Sequence, residues 1–293
     1  MDFIVTIIEQ GLIYGILALG VYITYKILDF PDLTVDGSFP LGAAVSAALI
    51  TKGINPYVTL MIAFFAGVLA GICTGVIHVK CKVRDLISGI IMMTALWTIN
   101  LRIAGTANVP IFSHETIFKN AMLNRIIPEE FRNYTTLLLI LIIVIVVKIM
   151  LDAYMKTKSG FLLRAVGDND LLVTSLAKDQ GNVKILGLAI ANGMVALSGS
   201  VFCQEQRVFE ISMGTGAIVI GLASVIIGTS IFKNASFIKA TTAVLVGAVL
   251  YKGCVAVALK SFEPQDMKLI TAVLFLVILV LSMERKRKVK TNA

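Results

Sequence analysis

The sequence predicts an all-α polytopic membrane protein of about 8–10 transmembrane helices, and three observations carry that expectation. Hydrophobic residues make up 57% of the 293 positions, with a mean hydropathy of +0.90. Charged residues make up 15%, against roughly 25% in a soluble domain. The apolar residues fall into nine segments, at 3–25, 30–51, 57–79, 86–104, 135–154, 183–203, 214–232, 237–259 and 267–283. One soluble core cannot hide that much apolar surface. Helix is the form that satisfies its own backbone in lipid, and alternating strand patterns are absent, which speaks against a barrel. The remaining residues are too few for a separate soluble catalytic domain.

Each segment has its own signature. The first follows Met1 and Asp2 without a basic leader, so it is expected to stay in the membrane rather than be cleaved. The second holds Pro31, Asp32, Asp36, Gly37, Pro40 and Gly42, a composition that predicts a broken helix near 30–51. Segments 57–79, 86–104 and 135–154 are plainer apolar runs. The seventh carries Gly214, Gly216, Gly221 and Gly228, which predicts a second irregular helix near 214–232. Two connections are long, 105–134 and 155–182.

The net charge is +8, and its placement sets topology rather than pointing to nucleic acid. Lys26, Lys80, Lys82, Arg84, Lys156, Lys158, Arg164, Lys178, Lys184, Lys233 and Lys239 fall in alternate loops with the tail Arg285, Lys286, Arg287, Lys288 and Lys290. These are 16 of the 26 Lys and Arg, and they assign the N-terminus outside and the C-terminus to the cytoplasm. The expected location is a bacterial plasma membrane. Cys73, Cys81, Cys203 and Cys254 are scattered and show neither metal nor disulfide spacing. His78 and His114 form no His-Glu-x-x-His, and no Gly-x-x-x-x-Gly-Lys-Ser/Thr run is present. An intramembrane enzyme is therefore disfavoured, metal and cofactors are not expected in the chain, and His78 reads as structural.

The segments also pair. Residues 37–42 can be set against 214–219, and Gln10–Ile13 against Asn192–Val195, at offsets near 180. Partners five segments apart cross in opposite directions, the pattern of an inverted repeat. The expected organisation is a single permease-like domain over 1–293. Its first repeat covers about 1–104, its connector helix 135–154, its cytoplasmic loop 155–182, its second repeat about 183–283 and its basic tail 284–293.

Asp36, an ionisable residue at membrane depth, is the first candidate for a substrate pathway, with Thr34, Gly37 and Ser38 beside it. Two readings stand: lining of a pathway, or capping by Thr34 or Asp36 of a short helix starting near Ser38. Asn100, Ser212, Thr215 and Ser224 are further pathway candidates. The outer loop, with His114, Glu115, Lys119, Arg125, Glu129, Glu130 and Arg132, suits a solvated surface or a partner. The stretch from Ser159 to Asn182 mixes apolar residues with both charge signs. It reads as a short amphipathic helix, docking a soluble partner or resting on lipid headgroups.

That inner stretch carries a family resemblance. Gly160, Arg164-Ala165, Asp168-Asn169, Ala177, Gly181-Asn182 and Ala196-Leu197-Ser198-Gly199 resemble the inner-loop pattern of the branched-chain amino acid permeases of ATP-binding cassette importers. Gly181-Asn182 departs from the Gly-Ile usual in that family. The run from Asp32 to Phe39 resembles a subgroup paired with lipoprotein receptors for amino acids, aromatic ones included. The resemblance implies a subunit forming the translocation pathway, with an amino acid as the substrate class. Gly160, Arg164, Ala165, Asp168, Asn169 and Ala177 would couple it to a cytoplasmic ATPase holding ATP and Mg. It further implies a second permease subunit in a homo- or heterodimer, and an extracellular substrate-binding lipoprotein or protein. An ion-coupled secondary transporter working without an ATPase, with Asp36 as the coupling carboxylate, is the alternative.

Overall fold

The computed structural model describes residues 2–120, 134–168, 180–233, 238–258, 266 and 269–280. Almost all of them are helical. The order is α1 (Asp2–Val21), a π-helical turn (Tyr22–Ile27), α2 (Val35–Thr51), α3 (Pro56–Val79), α4 (Asp85–Ala104) and β1 (Asn108–Pro110). Then follow α5 (Thr135–Tyr154), α6 (Lys158–Asp168), α7 (Gln180–Gln206), β2 (Val208–Glu210) and a 3₁₀ turn (Ile211–Gly214). The chain continues through α8 (Ala217–Ile231), α9 (Ala240–Ala258) and α10 (Leu269–Val280). Seven helical stretches among the described residues are long and apolar enough to cross a membrane, and α2 and α10 are shorter apolar helices. The protein is a multi-pass membrane protein.

Helix α7 is the spine. Buried positions make up 72% of its apolar stretch, against 17% for α5, which presents Leu138, Leu141, Ile142 and Ile145 outward. Helices α1, α2 and α3 all pack on α7. Close approach is possible because the facing residues are small. A Cβ on Gly42 would overlap the Ala196 carbonyl oxygen, and one on Gly199 would overlap the Phe39 carbonyl oxygen. In lipid, such backbone contact supplies the dispersion energy that hydrophobic burial supplies in water. The packing pairs are exchanged between the halves: α3 lies on α7 and α9 on α1. Helix α4 lies on α2, while Leu274, Phe275 and Ile278 of α10 pack around Ala223 of α8 and Tyr251 and Val255 of α9.

The breaks fall at the start of each irregular segment, not within it. Helix α2 runs unbroken through Pro40, because the break at residues 28–34 precedes it. There the chain leaves the π turn through Asp29, a non-glycine residue at φ 52°. Likewise α8 is continuous, and its irregular part is the approach, residues 207–216, entered through Arg207 at φ 59° and left through Gly216 at φ 82°.

Side-chain contacts gather the basic loops at one end. His78 Nδ1 lies 2.9 Å from the Val83 carbonyl oxygen and its ring meets Phe30 edge-on, a structural role. Asp152 of α5 binds Lys148, Lys239 and Thr241, tying α5 to α9. The turn after α1 touches α6, where a Cβ on Gly167 would overlap the Ile27 carbonyl oxygen. At the opposite end β1 pairs antiparallel with β2, Val109 facing Phe209, a ribbon that hydropathy patterning did not predict.

Replacing Gly42 by Val should abolish accumulation of folded protein in the membrane. Gly253→Ala, whose nearest neighbour to the new methyl is 3.9 Å away, should be tolerated. Fluorescence-detected size-exclusion of the two variants in detergent checks this.

Candidate functional site: two helix starts that share one carboxylate

Helices α2 and α8 both begin well inside the protein. Gly37, in the first turn of α2, packs against Met93 and Leu96, about midway along α4. Gly214, just before α8, packs against the Asp36 carbonyl oxygen and the Pro40 ring. Pro40 has no N–H to give that carbonyl, and only a residue without a side chain can lie so close to it.

Asp36 joins the two starts. Its Oδ2 accepts a hydrogen bond from the Gly216 N–H at 3.0 Å, and its Oδ1 one from the Ile218 N–H at 2.8 Å. These are amides of the first turn of α8, donors with no partner inside their own helix. Asp36 therefore caps a helix some 180 residues away in sequence, while standing in the first turn of its own. One negative charge serves the positive ends of two helix dipoles. Charge-assisted bonds of this kind are worth roughly 1.5–3 kcal/mol each.

The capping expectation is corrected in two respects. Helix α2 starts at Val35 rather than near Ser38, and Thr34, at its N-cap, makes no side-chain cap. The Thr34 hydroxyl instead lies 2.9 Å from that of Thr74 on α3. Asp36 does cap, but it caps the other half of the chain.

Behind Asp36 is a fully buried polar chain. Asp32 Oδ1 accepts from the Thr34 N–H at 2.9 Å, and its Oδ2 accepts from Asn192 Nδ2 at 2.7 Å. Asn192 Oδ1 accepts from the Ser38 hydroxyl at 2.7 Å. All four residues are at most 1% exposed. Asn192, on α7, thus ties the loop before α2 to its first turn. Farther from the basic end, Gln204 Nε2 reaches Ser46, Thr59 and the Pro56 carbonyl at 3.1–3.2 Å, and Gln204 Oε1 accepts from the Ile117 N–H. Asn192 and Gln204 were not among the sequence-selected residues. Their only signal is an amide inside an apolar run.

The remaining candidates are dispersed. Asn100 is buried; its Nδ2 donates to the Gly37 carbonyl at 3.1 Å and its Oδ1 has no partner among the described residues. Thr215 is exposed on the approach to α8, and Ser212 is half-buried there, its hydroxyl donating to Glu210. Ser224 is buried and donates to the Ile220 carbonyl one turn back, in the contact between α8 and α9. In the inner loop, α6 turns Leu163 and Val166 inward, while Phe161 and Arg164 are exposed. Ala165 is half-buried beside them. Gly160 packs against Tyr154 and Met155, at the bend from α5 into α6. Asp168 closes α6; Asn169, Ala177, Lys178 and the tail lie outside the described residues, as do Arg125, Glu129, Glu130 and Arg132.

Removing the shared carboxylate takes the acceptor from two amides at the start of α8. Asp36→Ala should lower the unfolding midpoint in detergent by several degrees, and Asp36→Asn, which keeps acceptor capacity but no charge, by less. A thermal-shift series checks the ranking; equal midpoints for wild type and both variants would refute the shared cap.

Comparison with known proteins agrees with this architecture. Residues 3–283 match the family model described as branched-chain amino acid transport system / permease component. A tyrosine transport system permease protein of Clostridioides difficile is 43% identical over 294 residues, covering 100% of this chain and 96% of the relative. An uncharacterized protein of Rickettsia prowazekii is 33% identical, covering 95% and 97%. A probable branched-chain amino acid transport permease protein of Methanocaldococcus jannaschii is 25% identical, covering 73% and 70%. No solved structure matches. On a match that spans nearly its whole length, the chain belongs to the family of branched-chain amino acid transport system permease components.

Proposed function

We propose that this chain forms the translocation pathway of an ATP-driven amino-acid importer, with tyrosine or a related aromatic amino acid as substrate. Membership of the permease family carries the reading, and the 43%-identical relative named for tyrosine transport supports the substrate. The geometry fits it. Two helices that start at mid-depth, joined by one carboxylate, form a place where two arrangements of the protein can differ. The exchanged packing pairs support an inverted repeat, with α1 to α4 answered by α7 to α10 and α5 as connector.

The chain has no phosphate-binding loop in its sequence, so ATP and Mg belong on a separate cytoplasmic ATPase. The exposed edge of α6 is its docking site: Phe161 offers an apolar knob and Arg164 a cation. Leu163 and Val166 anchor the opposite edge against the end of α1 and the start of α7. A push on α6 is thereby delivered to the turn at 28–34 that leads to Asp36. In this reading the basic end faces the cytoplasm, with a receptor delivering substrate at the ribbon end and a second permease subunit completing the pathway. Ion coupling through Asp36 is the weaker reading, since both its oxygens are already engaged by amides.

Arg164→Glu should reduce recovery of the ATPase with the tagged chain about tenfold, the scale of one lost charged anchor. Insertion and thermal stability should be unchanged. Quantitative pull-down from native membranes, with tyrosine uptake by the same cells, checks both; uptake that persists without ATP would overturn the ATP-driven reading.

A further inference from the structure

A second group of charged residues lies on the ribbon side of Asp36, between α1, α7 and α9. Lys252 holds its ammonium 3.6 Å above the centre of the Tyr14 ring. Tyr14 is fixed by stacking on Phe39 at 5.6 Å and by an edge contact with Phe202 at 5.5 Å. Phe39 stands one helical turn from Asp36, so the platform is built on the helix that carries the shared carboxylate. Glu205 stands one turn beyond Phe202 on α7, and Glu9 lies on α1 just ahead of Gly11, which packs against Val249 of α9, the turn before Lys252. Glu9 and Tyr14 are buried, and Glu205 and Lys252 half-buried.

Lys252 and Glu205 attract one another without closing into an ion pair. Among the described residues Lys252 has no carboxylate within 4.0 Å, the ion pairs there being those of Asp152 with Lys148 and Lys239. The carboxylate of Glu9 and the hydroxyl of Tyr14 make no hydrogen bond with a described residue. Glu205 accepts one, from Gln206 Nε2 at 2.6 Å. Unpaired charges at membrane depth are costly, and where they occur they mark pathways. A bare cation would be repelled by Lys252, and a bare anion by Glu9 and Glu205. A ligand carrying both charges a short distance apart answers all three.

We propose that Glu9, Tyr14, Glu205 and Lys252 form a site for the zwitterionic head of a free α-amino acid. The ligand ammonium lies against the carboxylates of Glu9 and Glu205, and the ligand carboxylate against Lys252, with Tyr14 holding the lysine in place. The site recognises the part common to all α-amino acids and sits one step before the shared turn at Asp36. It rests on the reading of the chain as an amino-acid permease.

The test uses the full chain in lipid nanodiscs and saturation-transfer NMR, which suits weak binding. The probes are L-tyrosine, tyramine, which lacks the carboxylate, and 3-(4-hydroxyphenyl)propionate, which lacks the ammonium. Lys252→Met should weaken L-tyrosine about tenfold, as expected for one charged contact, and leave tyramine nearly unchanged. Glu205→Gln should weaken L-tyrosine and tyramine and spare the propionate. Lys252→Arg should keep L-tyrosine binding, which separates a lost charge from a lost fold. Equal losses for all probes in a variant, or unchanged L-tyrosine binding in both, overturns the site. ATP-driven tyrosine uptake by the wild-type importer alongside that result leaves the permease reading standing. Absence of uptake and of signal for every amino acid tried overturns the reading, and the site with it.

Discussion

The carboxylate of Asp36 is the constraint on which the central architecture depends. A helix that begins inside a membrane exposes amides that neither lipid nor its own first turn can satisfy. Helix α8 begins there because Asp36 supplies acceptors for two of those amides. The geometry then dictates its neighbours. Gly214 must be small to let the approach to α8 reach the Asp36 carbonyl, and Pro40 must be tolerated where that carbonyl would otherwise have an intrahelical donor. Asn192 and Asp32 fix the loop on the far side, so the carboxylate is presented from a rigid turn.

The helices were legible in the sequence because hydropathy in a membrane is nearly a direct readout of span. All nine apolar segments correspond to described helices, and irregularity was placed in the correct two. What pattern could not give was partnership. Asp36 stood out as an ionisable residue in an apolar run, yet its bonds go to backbone amides, which every residue type but proline carries. Asn192 and Gln204 looked like ordinary polar residues of a helix until the fold brought Ser38 to one and Ser46 and Thr59 to the other. Ser224, a further pathway candidate, uses its hydroxyl within its own helix. The charges around Tyr14 are drawn from positions 9 to 252, too far apart for spacing to reveal.

Polar groups in this protein fall into two kinds. Those along α7 are saturated: Asn192, Ser198, Ser200 and Gln204 each hold a partner on another helix, and they specify how that helix seats. Such bonds contribute about 0.6 kcal/mol each in membranes, so their value lies in register more than in stability. Around Lys252 no ion pair closes among the described residues, and its ammonium sits against an aromatic platform. The first kind builds a scaffold; the second is the group proposed to meet an amino-acid head.

The two-stranded ribbon gives the molecule a mechanical asymmetry. Its ladder, extended by bonds from Ile111 N–H to the Arg207 carbonyl and from Ile211 N–H to the Ala107 carbonyl, staples the segment after α4 to the segment after α7. Gln204 adds a rivet beneath it through Pro56, Thr59 and Ile117. At the basic end, among the described residues, the one ion pair between elements joins an exposed Lys239 to Asp152 and is worth little by itself. The ribbon and the Gln204 bonds thus pin the ends of α4 and α7 to each other, in the manner of a pair of tongs riveted at one tip.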